Sequence, residues 1–440
     1  MTDLARLTRV TAMVAALAVV GAAAMPALAN AGAKTVLVSK SSAGVKGVSE
    51  SSEPSVSRTG RYVAFNSRAD NLVPGDNNGR ADCFVRDLQT GTTERVSVSS
   101  TGAESNGKCW GPAISGNGRY VAFGSDATNL DTSTNRIVQV YLHDRDLDTT
   151  TLVSERVKNG GNQGGNKLSH DPSISKDGRY IVYESKASNL VWKDTNGKPD
   201  IFLYDRVTRK NKRVSVRSNG KQANGGSFDP AISANGKFIV FASYARNLVR
   251  GDTNGKQDVF VHNRTNKVTK RVSVRSNGGQ ANGRSWNATV SGDGRYVAYE
   301  SFAKNLVSAD KSNDRDVFVY DRWNKKVKQV SLTSTERQAN GASGDPTISY
   351  NGRWVAFQSL AGNLASIDKN KKWDSFVRDR KKGTTKIVSK RSDGKIAWGN
   401  QDDPYISGDG KFVAFESTAK KIVPADTDKL EDIYRRGPLY

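Results

Sequence analysis

The nine-residue signature Pro-x-(Ile/Val)-Ser-x-x-Gly-(Arg/Lys)-aromatic returns along this chain at nearly fixed spacing, as in Pro172-Ser-Ile-Ser-Lys-Asp-Gly-Arg-Tyr180 and Pro230-Ala-Ile-Ser-Ala-Asn-Gly-Lys-Phe238. The unit begins at Pro54, Pro112, Pro172, Pro230, Ala288, Pro346 and Pro404, so successive starts lie 58, 60, 58, 58, 58 and 58 residues apart. A period of this size restricts the chain to a solenoid, an array or a propeller.

The content of one unit decides among these. "PSIS" reads as a short strand, Asp177-Gly178 as hairpin-turn chemistry, and "RYIVYES" as a second strand rich in β-branched and aromatic residues. An Asp-rich loop then leads into "DIFLYDR", and a basic turn, "VTRKN", into "KRVSV". Four antiparallel strands per repeat make a propeller blade.

The seventh unit stops at "EDIYRRGPLY", which supplies a third strand and no fourth. At the other end, "KTVLVS" (Lys34 to Ser39) resembles the fourth strands, and Ser39 precedes Pro54 by 15 residues, as Ser215 precedes Pro230 and Ser273 precedes Ala288. The N-terminal strand therefore completes the last blade and covers the open edges. The expected fold class is all-β: one seven-bladed β-propeller spanning residues 30–440.

Residues 1–29 have a basic start (Arg6, Arg9), an alanine-rich apolar run and an Ala27-Leu28-Ala29 cleavage pattern, so they read as a signal peptide. The mature protein is expected to be secreted, extracellular or periplasmic, with no transmembrane segment. Export would permit Cys83 and Cys109 to form a disulfide, the alternative being two unpaired thiols.

The "SxDGRYVAFxS" core of the unit resembles the TolB-like propeller repeat, a WD-repeat-like unit of exported bacterial proteins. That resemblance covers nearly all of the mature chain and implies a propeller serving as a binding scaffold, a lectin or the non-catalytic half of a peptidase.

Each Asp-rich loop repeats oxygen-bearing side chains at i, i+2 and i+6: Asp76, Asn78, Asp82; Asp194, Asn196, Asp200; Asp252, Asn254, Asp258; and similarly in later blades, with Gln139 interrupting the pattern in blade two. Calcium takes six to eight hard oxygens, and such spacing can point several at one centre. The same residues also suit Asx-type turns that cap their own backbone amides. Because the full D-x-D-x-D-G spacing is missing, the turn is the preferred reading and Ca2+ the competing one.

The loops that link blades differ near their ends, where Trp110, His170, Phe228 and Trp286 stand two residues before four successive unit starts, and Trp398 lies in the last linking loop. Aromatic rings beside amides and carboxylates suit sugar recognition. They equally suit packing between blades.

The excess of 67 Lys and Arg over 44 Asp and Glu gives a formal charge of +23, which suits an anionic cell-surface polymer or acts as a solubility device. Basic turns, such as Arg206, Arg209, Lys210 and Lys212, form an expected crown on the opposite face. Nucleic acid is disfavoured, since Trp323 is the only tryptophan within those turns.

Neither G-x-S-x-G nor H-E-x-x-H occurs, and His143 and His262 occupy positions that other blades fill with Arg86 or Tyr204. The chain is therefore expected not to be an enzyme. The expected function is lectin-like recognition of a glycan or cell-surface polymer, with a role as targeting subunit of an exported, toxin-type multi-protein complex. The alternatives are a protein-interaction scaffold binding a protein partner, and a cell-wall or polysaccharide-active enzyme.

Overall fold

The computed structural model describes residues 33–131, 136–156 and 163–440; the signal-peptide reading lies outside them. Ala33–Tyr440 forms one compact unit. It contains seven four-stranded antiparallel sheets, each in simple consecutive order except the last. Blade three, for example, runs Ser169–Ile174, Tyr180–Ser185, Asp200–Asp205 and Lys210–Arg213.

Blade seven takes three strands from the C-terminal end, Gln401–Ile406, Val413–Ser417 and Asp432–Gly437, and its fourth from Lys34–Leu37. The seam is antiparallel, with Lys34 opposite Gly437 and Leu37 opposite Tyr434. Just beyond it, the Ser39 hydroxyl donates to Asp432 across 2.8 Å. The N-terminal strand thus closes the ring as expected.

Second and third strands are buried on both faces, which is why they read as nearly continuous apolar runs. Within each blade one aromatic pair stacks across these strands, from Phe65–Phe84 to Phe415–Tyr434, with centroids 5.8 to 6.1 Å apart. Between blades, residues such as Ala122 and Val140 of blade two pack with Ile181 and Phe202 of blade three.

The Gly-Arg-aromatic triplet of the signature is an inter-blade clamp. Gly178 adopts φ +69°, and a Cβ there would lie 2.1 Å from the Tyr120 ring of the preceding blade, so glycine is required twice over. Arg206 of the same blade covers that ring at 4.3 Å and donates to the Gly178 carbonyl. Arg179 of the triplet pairs with Asp205 at the end of the third strand, at 3.0 Å. Arg145, Arg264, Arg322 and Arg380 repeat this stacking on Tyr62, Tyr180, Phe238 and Tyr296. These arginines, including several of the expected basic crown, are committed to holding blades together.

In every blade the first strand carries a register shift just before the conserved proline position, as between His170 and Ser173. Such bulges re-aim a side chain. The residue that they turn is the one immediately before the unit start.

Candidate functional site

Those turned residues are Glu53, Gly111, Asp171, Asp229, Asn287, Asp345 and Asp403, all with φ between 45° and 57°. Asp and Asn tolerate this left-handed conformation better than other side-chain-bearing residues. Together they line a cavity of about 360 Å³ at one end of the central channel. Five carboxylates thus ring the mouth of a protein whose formal charge is +23.

The cup has a floor. Below the ring, Val56, Ile114, Ile174, Ile232, Val290, Ile348 and Ile406 form an aliphatic collar. Tyr350 of blade six reaches across it, near enough that a Cβ at Gly116, Gly292 or Gly408 on other blades would touch it.

A second tier of acids supports the first. Glu300 accepts the Asp345 amide at 2.9 Å, and Glu416 accepts the Glu53 amide at 3.2 Å. Glu53 in turn accepts the Gly111 amide at 2.7 Å. Asn287 and Gln358 donate to Asp345.

Burial and mutual repulsion raise these acids. Burial, then Asp403, lifts Glu416 to about 9; burial, then Asp345, lifts Glu300 to about 7. Burial, with neighbouring carboxylates adding, brings Asp229 and Asp345 to about 6. Asp229 and Asp345 stand in the cavity wall, whereas Glu300 and Glu416 stand behind it.

The sequence-predicted aromatic residues sit one residue outside the cavity wall. Trp110, His170, Phe228 and Trp286 are half-buried, while Trp398 is exposed. Phe228 meets Tyr244 edge-on with centroids 6.1 Å apart, and Trp286 tilts against Phe302 at 5.4 Å. Tyr244 and Phe302 are 47% exposed, so blades four and five present an aromatic arc beside the acidic cup. Phe228 and Trp286 thus each pack against a ring of their own blade and stay partly open to solvent.

His170 differs from the other three. Burial opposes its charge, but hydrogen bonding to Asp171 (2.8 Å) and the nearby Glu184 (3.5 Å) outweighs that and holds it at about 10. It is an imidazolium bridging two acids. To serve as a metal ligand with them it would first have to lose that proton.

The Asp-rich loops are scaffold in the three blades singled out. Asn78, Asn196 and Asn254 accept the amides of Arg80, Lys198 and Lys256 two residues on, forming the expected Asx turns. Asp82, Asp200 and Asp258 accept hydroxyls from Ser97, Ser215 and Ser273, each two residues past the end of a fourth strand. The place a divalent cation would take is held by a guanidinium: Arg95 lies 3.6 Å from Asp76 and 3.8 Å from Asp82, Arg213 lies 3.1 Å from Asp194 and 3.6 Å from Asp200, and Arg271 lies 3.3 Å from Asp252 and 3.4 Å from Asp258. In these three blades a guanidinium thus sits beside the paired acids, while Asp76, Asp82 and Glu104 also lie close enough together to hold a metal ion.

Cys83 and Cys109 form a disulfide that ties the third strand of blade one to the first strand of blade two, directly beside Trp110. Among the described residues, no helix is long and apolar enough to cross a membrane.

The acidic ring itself is missing from the sequence reading, which stopped one position away at the aromatic column. The available signal was the column before each unit start, acidic in five of seven repeats.

No family model and no curated protein match this sequence. Solved structures do. Oligogalacturonate lyase, from Vibrio parahaemolyticus and in a separate structure in complex with manganese, matches with TM-score 0.52 and 12% identity over 92% of this chain and 90% of that one. A prolyl endopeptidase structure matches with TM-score 0.54 and 12% identity, covering 88% of this chain and 50% of its own. TolB from Acinetobacter baumannii is also similar, with TM-score 0.42, 17% identity and coverage of 78% and 64%.

These likenesses correct the expectation that the chain is not an enzyme. The fold it shares is that of a lyase and of part of an endopeptidase, so neither the propeller nor the absence of hydrolase motifs excludes catalysis. At 12% identity the likeness also assigns no activity. By its architecture, the chain is a seven-bladed β-propeller of four-stranded antiparallel blades, closed by its N-terminal strand.

Proposed function

We propose that the blind acidic cup and its aromatic arc recognise a glycan that is neutral or carries amino groups. The observation that supports this is the pairing of the acidic ring, with Asn287 as its amide donor, with partly exposed Phe228, Tyr244, Trp286 and Phe302 on adjacent blades. Hydroxyls and ammonium groups suit the ring, while sugar faces suit the aromatic surfaces. An anionic polymer would be repelled at this mouth. The Cys83–Cys109 bridge accords with an exported protein, where such bonds persist.

A second reading rests on the raised acids. Carboxyls poised near neutrality beside carboxylates are the equipment of acid–base chemistry on polysaccharides. The cup would then be an active site for the same class of ligand.

Binding to a panel of neutral, amino-bearing and acidic glycans should show retention of the first two classes. It should weaken in Trp286→Ala and in Asp229→Asn/Asp345→Asn, and incubation with labelled polymer should separate binding from turnover. Retention of acidic glycans alone, unaffected by those substitutions, would reject the proposal.

A further inference from the structure

Blade six breaks the rule by which the Asp-rich loops neutralise themselves. Its loop has the same acids as its sister blades, Asp368 and Asp374, with Asn370 forming the same turn to the Lys372 amide at 2.8 Å. The fourth-strand position that supplies Arg95, Arg213 and Arg271 elsewhere is here Ile387. In blade five, which has Gln329 at that position, the Gln338 amide reaches Asp310 and Asp316 at 2.8 and 3.1 Å. In blade seven, which has Leu37 there, Lys46 reaches Asp428 and Asp432 at 3.0 and 2.8 Å. Blade six has Ile396 in the place of Gln338 and Lys46, so the donors that reach the acids from these two positions in the sister blades have both become aliphatic.

The acids nevertheless remain inside. Asp374 is fully buried and Asp368 is 4% exposed, yet the Oδ2 atom of each has no hydrogen-bond partner. In blade three the equivalent oxygen of Asp200 faces Arg213. Asp374 does accept the Ser389 hydroxyl through Oδ1 at 2.7 Å, so its geometry is otherwise that of its sisters. Two buried carboxyl oxygens without a donor are costly unless a cation joins them.

We infer that blade six holds a divalent cation of the calcium type, bound by the Oδ2 atoms of Asp368 and Asp374. An isoleucine side chain ends where an arginine continues to its guanidinium, so the head-group position of the sister blades is left to the ion. In those blades the guanidinium also touches the carbonyl before the first Asp, as Arg95 does at Gly75 O, 3.1 Å away. The corresponding carbonyl here is that of Ile367, a third oxygen, with water completing the shell.

Trp373, adjacent to Asp374, makes the site readable. Full-length chain stripped with chelator and titrated with Tb3+ should show indole-sensitised lanthanide emission that Ca2+ displaces. Asp374→Asn should weaken Tb3+ binding by about ten-fold or more. Ile387→Arg, which rebuilds the internal cation of the sister blades, should abolish it. Ca2+ should raise the melting temperature of the wild type and leave folded Asp374→Asn unmoved. If a folded wild type binds neither ion, or if both variants bind as the wild type does, the inference is overturned and the two carboxyls share a proton instead.

Discussion

Glu416 shows how much one residue's surroundings govern this molecule. It is buried beside Asp403 and raised to about 9, whereas an unfolded chain releases a glutamate proton near pH 4.3. Between those values the folded state holds a proton that the unfolded state has lost, so this residue's contribution to stability declines as pH rises through that window. Gln at this position keeps an acceptor for the Glu53 amide and carries no charge. Glu416→Gln is therefore expected to match the wild type near pH 4 and to melt at a higher temperature than the wild type at pH 8, as thermal melts across that range would show. The paired acids behave oppositely: the Arg61 guanidinium, outweighing burial, holds Asp87 well below the usual carboxylate range, so its contribution is lost only as pH falls into the acid region.

At the scale of strands and loops, much of the arrangement was legible because propeller blades repeat their chemistry as well as their shape. Alternating β-branched and aromatic runs gave the strands, and Asp-Gly or Asn-Gly gave the turns. The serine of "KRVSV" could not be recognised as the partner of an aspartate 15 positions earlier, since that hydrogen bond exists only once the third and fourth strands pair. The acidic ring was hidden for a similar reason. A bulge, not the alternation of a regular strand, decides that Asp171 rather than His170 faces the channel. Beyond the backbone itself, the disulfide is the one covalent cross-link between blades among the described residues. Replacing both Cys83 and Cys109 by Ala should cost about 3 kcal/mol, measured by chemical denaturation, given the 26-residue separation that the bond closes.

Taken whole, the molecule segregates its charge: a strongly cationic chain folds to place acids around one channel mouth and stacks several of its arginines between blades. Net charge alone suits anionic partners, and the acids at the cup are the local exception on which the proposed glycan ligand rests. Closure is also a property of the whole. Without Lys34–Leu37 the third strand of blade seven would expose an unpaired edge next to blade one. A variant starting after Ser39 should melt at a lower temperature and form larger species by light scattering, while the same truncation with the strand supplied as a peptide should recover part of the loss.

The seam also sets an order in time. The strand that closes the ring is among the first segments of the described chain to be synthesised, and its partner Asp432 follows 393 residues later. Until then Val36 and Leu37 have no partner strand, and the last blade stays open. Closure of the ring therefore waits on the pair of strands that lie furthest apart in the propeller sequence, Lys34–Leu37 and Asp432–Gly437.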